Sequence, residues 1–275
     1  MRKKDDVTAV IQPRLRRLTA ASLTLIIVRK EEHMKPFFAL LLVCTAMLTH
    51  VAACAENDYQ KARRSFEQGK YEEALHHHIS FHDNILKTEP AMYGVRLSFA
   101  LSSWVDLGQK YPAALTALKD IRDQKTVRLA GGEQSVELFH DVESINEHLG
   151  EEAATVSLFK TIEGKSPTFA RKVLGIAEDA LVQGKEYKLA RKYMGEPATV
   201  LESAKRLYEQ DMKYAERNPR SDQSSERAFR NIFARRVLSL LTILRNTDDE
   251  ARAKEIQAEA LKIVDDDRIR NALRN

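Results

Sequence analysis

Gln68-Gly69-Lys70-Tyr71-Glu72-Glu73-Ala74-Leu75 decides how this chain folds. It reads as a tight turn followed by the first turn of a second helix. Glycine at 69 supplies the left-handed backbone that ends a helix at little steric cost. Tyr71 is placed to pack back across the turn, and Ala74 is small enough to let two helices approach closely. The punctuation recurs at Gly108-Gln109-Lys110-Tyr111-Pro112-Ala113-Ala114-Leu115 and at Gly184-Lys185-Glu186-Tyr187-Lys188-Leu189-Ala190. Without its aromatic it recurs at Gly150-Glu151-Glu152-Ala153-Ala154. The four glycines are 39, 42 and 34 residues apart, a spacing that suits stacked helical pairs.

The first stretch resembles the tetratricopeptide repeat, in which a Gln-Gly-x-Tyr-x-Glu-Ala-(Leu/Ile) turn joins two helices. Glu196-Pro197 is similar to the Asp-Pro that ends that repeat. The likeness covers residues 57–200, with longer spacings at the first two intervals and no Trp-x-x-Leu-Gly signature. It implies an all-α fold of antiparallel helix pairs stacked as a tetratricopeptide-like, right-handed α-solenoid over 54–275. An antiparallel bundle with glycine turns is the competing architecture.

The beginning of the chain reads differently. Residues 1–33 are basic, and their one apolar run, 23–28, is too short to span a bilayer. Met34 and Lys35 then open a second start, followed by an apolar stretch through Ala53. That is the layout of a secretory signal over 34–53, with 1–33 an extension upstream of a true start at Met34. Lys30-Glu31 can be coded AAG-GAG, a bacterial ribosome-binding sequence, just ahead of Met34. Val51-Ala52-Ala53-Cys54 resembles the bacterial lipobox, which implies lipidation of Cys54 and a membrane anchor. Cleavage after Ala53 or Ala55 without lipid, or an uncleaved anchor, are the alternatives. Ala55 after the cysteine implies outer-membrane sorting if the cell has an outer membrane.

Removing 1–53 changes the charge. That segment holds nine of the 44 basic and four of the 40 acidic residues, which leaves 35 and 36. The basic balance belongs to the leader, so nothing favours nucleic acid as a partner. Cys44 lies in the signal, so Cys54 is the last cysteine and no internal disulfide forms.

Helical periodicity runs through the rest. Helices are expected over 71–86, 92–107, 113–122, 135–149, 152–162, 169–182, 186–194, 199–217, 227–244 and 251–264. An irregular link is expected over 123–133 and a loop over 218–222. The apolar run 237–244 reads as a buried helix. Thr247-Asp248-Asp249-Glu250 reads as a capping signature, and 265–275 as a polar end facing solvent.

Candidate chemistry is sparse. His78 and His82, in the His76-His77-His78 cluster, are four apart and share a helix face. With Asp83 as a third ligand they offer a zinc site, although their helix position implies an outer, surface face. His140 and His148 are the other candidates, with His140 on the groove-lining helix. Phe139-His140-Asp141 echoes Phe81-His82-Asp83, on different helices of their pairs and so without shared meaning. No nucleophile, phosphate loop or metal spacing accompanies them. No catalytic residue and no cofactor is therefore assigned.

The resemblance implies a partner groove lined by Arg63, Glu67, Ser98, Ser102, Asp106, His140, Ser144, Glu147, Arg171 and Glu178. Their mixed charges and hydroxyls suit a protein or peptide. The expectation is a lipid-anchored interaction scaffold of the bacterial cell envelope, facing the periplasm or exterior, with a partner protein not identified by sequence. A metal-dependent enzyme or binder using His78 and His82, and a soluble secreted binding protein, are the alternatives.

Overall fold

The computed structural model describes residues 56–218 and 223–274. Cys54, the signal segment, the upstream extension and most of the expected loop at 218–222 lie outside the described residues. Among the described residues there are thirteen α-helices, one 3₁₀ turn and no strand. The fold is all-α, with neighbouring helices packed in pairs.

The opening pair follows the sequence closely. α1 (Asp58–Glu67) starts at a capping box, with Asn57 and Gln60 bonding each other's backbone. It ends at Gly69, whose φ is +74°. α2 (Tyr71–Thr88) returns along it, Ala74 is fully buried, and the Phe66 and Tyr71 rings meet across the turn at 5.9 Å.

The expected helix over 92–107 is broken. A 3₁₀ turn (Pro90–Met92) leads into α3 (Tyr93–Leu97), and α4 (Phe99–Lys110) follows Ser98. Ser98 has φ −125° and ψ −90°, outside the helical range, and its hydroxyl bonds back to the Gly94 carbonyl at 2.7 Å. The break comes where Arg96 is drawn into the interior.

The expected irregular link over 123–133 is helix. α5 (Pro112–Gly131) runs through it and stops only at Gly132, φ +114°. Asp123 to Ala130 are residues a helix tolerates, and tertiary partners hold them. Leu129 is buried, and Lys125 bonds Asp141.

α6 (Val136–Leu149) is capped by Ser135 and ended by Gly150 at φ +68°. α7 (Glu152–Lys165), α8 (Pro167–Gln183) and α9 (Tyr187–Met194) follow. Two of the punctuating glycines work differently from Gly69. Gly108 lies inside α4 and is buried, and a Cβ there would stand 2.3 Å from Leu115 Cγ, so it serves close approach. At the α8 end, Lys185 takes the positive φ, +57°, rather than Gly184.

α10 (Pro197–Arg217), α11 (Gln223–Arg245), α12 (Glu250–Ile263) and α13 (Asp267–Asn271) complete the described chain. The 237–244 run is buried as expected. Thr247 does not cap α12, because its hydroxyl bonds back to the Ile243 carbonyl at 2.8 Å. The C-terminal end is not simply a solvated tail, since Ile269 is fully buried. No helix among the described residues is long and apolar enough to cross a membrane.

The largest apolar core extends from Leu129 to Ile269, and a second gathers around Trp104. Non-sequential packing positions the sites. α2 packs on α4, α4 on α6, α6 on α8, and α8 on α11.

Candidate functional site

The histidines of α2 are not on an outer face. His78 and His82 are 1 % and 3 % exposed. The His78 ring stacks on Trp104 at 5.4 Å, and His82 meets the same indole edge-on at 6.2 Å. The helix turns this face towards α4 because Ala74, His78, Phe81, His82 and Ile85 form its buried stripe. Asp83, the suggested third ligand, is exposed. Among the described residues no group of three or more His, Cys, Asp or Glu is placed to hold a metal ion.

His82 instead belongs to a buried polar node. Arg96 donates to both oxygens of Asp141, at 2.6 and 2.7 Å, and to the His82 carbonyl at 2.6 Å. Lys125 also bonds Asp141. The Arg96 and Lys125 nitrogens lie 3.2 and 2.9 Å from His82 Nε2. Both are pure donors, so Nε2 accepts and the ring proton sits on Nδ1, which is buried without a partner. Burial, then the charges of Arg96 and Lys125, push His82 down to about 3. Burial, then His77, takes His78 to about 4. For Asp141 burial opposes ionisation, but the Arg96 bonds and the Lys125 charge win and hold it at about 2. The node is enclosed, and its bonds tie α2, α3, α5 and α6 together. Thus Phe81-His82-Asp83 and Phe139-His140-Asp141 do meet in space, through Arg96.

His140 lies at the edge of this node, half-buried, with Nδ1 3.0 Å from the Tyr93 hydroxyl. Burial holds its pKa below the ordinary value. His148 Nδ1 lies 2.8 Å from the Ser144 carbonyl.

The expected groove residues divide. Arg63 and Glu67 are exposed on α1 and 4.0 Å apart. Ser98, Ser102 and Asp106 are exposed around α4, and Ser144 is buried. None of these six lines a described cleft. Glu147, Arg171 and Glu178 do. Glu147 opens into a cleft of about 680 Å³ between α6, α7, α8 and α11. Arg171 and Glu178 open into one of about 560 Å³ between α8, α10 and α11. Asp179 and Arg235, 3.7 Å apart, line both clefts.

Glu143, Asp179, Arg235 and Ser239 are the cleft residues that sequence reasoning missed. Glu143 is half-buried, and burial together with the Glu147 and Asp179 charges pushes it up to about 7. Burial also raises Glu178. No local signal marked Glu143, which sits on a helix of mixed polar and apolar residues. Arg96 carried one, a lone charge within Gly94-Val95-Arg96-Leu97.

Compared with known proteins, the chain matches no family model, and no curated protein is significantly similar to it.

Proposed function

We propose that this protein is a lipid-anchored interaction scaffold of the bacterial cell envelope. In this reading Cys54 carries the anchor and a tetratricopeptide-like helical array presents the partner surface. The observation that carries it is the placement of Glu147, Arg171 and Glu178. They sit on α6 and α8, which pack directly on each other, with α8 packed in turn on α11, and they open into adjoining clefts. The succession α2, α4, α6, α8, α11, each packed on the next but not adjacent in sequence, supports the solenoid arrangement. Clefts on a pre-ordered helical array bind at low ordering cost.

The test has two arms. Cys54→Ser is expected to release the protein from membranes without changing its thermal unfolding; retention in the membrane pellet would overturn lipidation. A photo-crosslinking residue at Gln183, exposed on the larger cleft, is expected to capture a reproducible envelope protein. The same probe at exposed Lys254 is expected to capture none. Equal labelling from both positions, or none from Gln183, would count against the scaffold.

A further inference from the structure

The smaller cleft, of about 560 Å³, has an apolar floor. Leu174 and Ile176 of α8, Val200 and Leu201 of α10, and Val237 and Leu240 of α11 line it. Leu174, Leu201, Val237 and Leu240 belong to the largest apolar core, so the cleft reaches down to the surface of that core. A cavity of this size and lining suits a small apolar ligand with one polar end.

Gly175 keeps the floor uncovered. It lies in the interior of α8, is exposed, and lines the cleft. A Cβ there would meet nothing within 4 Å, and its backbone is not left-handed. Glycine inside a helix is destabilising relative to alanine, and neither packing nor turn geometry calls for one at this position. What it leaves is open space over apolar side chains.

The charges lining the cleft do not cancel locally. Three arginines and three carboxylates lie around it. Asp179 pairs with Arg235 at 3.7 Å, and Glu196 with Arg252, outside the cleft, at 3.4 Å. Glu178 is half-buried, and burial raises its pKa, so it offers Arg236 a weakened counter-charge. Arg171 and Arg236 form no hydrogen bond or ion pair among the described residues. Arg171 lies over the Tyr193 ring, 5.8 Å from its centroid. It is seven residues from Glu178 along α8, about 10 Å, which puts it at the end of the cleft away from that carboxylate. A guanidinium is a fork of donors that matches a carboxylate.

The backbone around the cleft is already bonded. Apart from the Gly195-Glu196 link its walls are helix, and helical N–H and C=O groups are satisfied internally. The link carbonyls are used as well, Gly195 by Arg191 and Glu196 by the Thr199 and Val200 amides. A peptide strand would find few partners for its own backbone here, whereas an alkyl chain needs none.

We propose that this cleft binds a fatty acid, with the carboxylate on Arg171 and the alkyl chain laid over Gly175 and the floor of Leu174, Val200, Leu201 and Leu240 towards Arg236. The inference concerns the smaller cleft alone and depends neither on the Cys54 anchor nor on a partner protein at the larger cleft.

Isothermal titration at neutral pH of the purified full chain with dodecanoate, below its micellar concentration, tests this. The chain carries Cys54→Ser and is kept free of detergent, so that no other acyl group competes. One saturable site is expected. Acetate, the same head without the chain, and dodecyltrimethylammonium, the same chain with the opposite charge, are expected not to bind. Arg171→Gln is expected to weaken dodecanoate about tenfold, the loss of one charge-assisted bond, and Arg236→Gln to weaken it less. Gly175→Leu fills the cleft from an exposed helical position and is expected to abolish binding while thermal unfolding is unchanged or raised. No saturable binding of dodecanoate, equal binding of the cationic amphiphile, or an affinity unchanged in either Arg171→Gln or a folded Gly175→Leu overturns the proposal. Tighter binding of an acetylated leucine–glutamate pentapeptide also overturns it, because the cleft would then suit a protein segment. None of these outcomes touches partner capture from Gln183 in the larger cleft, so the two readings fail separately.

Discussion

Arg96 grips Asp141 through both carboxylate oxygens, at 2.6 and 2.7 Å, although the two are 45 positions apart and each is 6 % exposed. A buried pair of this kind is weak as net stabilisation but severe to break, because the survivor is left as an uncompensated charge. Arg96→Met is therefore expected to cost about 3–5 kcal/mol, read by urea unfolding with the single tryptophan as reporter. Asp141 adds a pH signature. Its folded value, about 2, lies below the ordinary 3.8, so its contribution is present above pH 3.8 and lost as pH falls towards 2. Unchanged stability in Arg96→Met would mean that the node is not closed as described.

The α2 histidines set a second acid sensitivity. The folded value of His78, about 4, lies below the ordinary 6.5, so the unfolded chain takes up the proton first. Stability from this group is full above pH 6.5 and is lost as pH falls towards 4. His78→Phe keeps a ring against Trp104 and removes two unpartnered buried nitrogens. The variant is expected to lose about 2–3 kcal/mol less than the wild type between pH 7 and 4.5. Parallel losses in the two proteins would place His78 in water.

Gly69 and Gly108 look alike in sequence and should fail differently. Gly108→Ala drives a Cβ into Leu115, 2.3 Å away, and is expected to cost about 1–3 kcal/mol through displaced packing. Leu115→Ala should relieve that added cost in the double variant. Gly69→Ala meets nothing within 4 Å and pays only for its φ of +74°, about 1–2 kcal/mol. Leu115→Ala should not rescue it. Thermal unfolding of the four variants separates the two mechanisms.

The extension of α5 is open to a simple check. Leu129, 2 % exposed, belongs to the largest apolar core. Leu129→Ala is expected to cost about 2–5 kcal/mol in urea unfolding. A cost below about 1 kcal/mol, the surface range, would return 123–133 to an irregular link.

Much of the helical order was legible locally. A helix stop needs only the chain's own backbone preference, so Gly69 and Gly150 can be read in place. Reading failed where a distant partner decides. Asp123 to Ala130 carry no stop signal of their own beyond the glycines that follow, and the Lys125 bond to Asp141 and the burial of Leu129 hold them as helix. Thr247 has the right spacing to cap α12 but spends its hydroxyl on α11.

The candidate sites divide in the same way. Periodicity places His78 and His82 on one face, and it places Glu143 and Glu147 on one face. It cannot say what stands opposite. That the first pair meets Trp104, Arg96 and Lys125, and the second an acidic cleft closed by Asp179 and Arg235, was decided by tertiary packing. The reason is physical. Backbone conformation is a short-range property of a residue and its neighbours, whereas burial and charge environment depend on which helix lies across the contact. By itself the sequence determined an all-helical chain with glycine-punctuated pairs; only the packed structure decided which of its charged residues are enclosed and which are left unpaired.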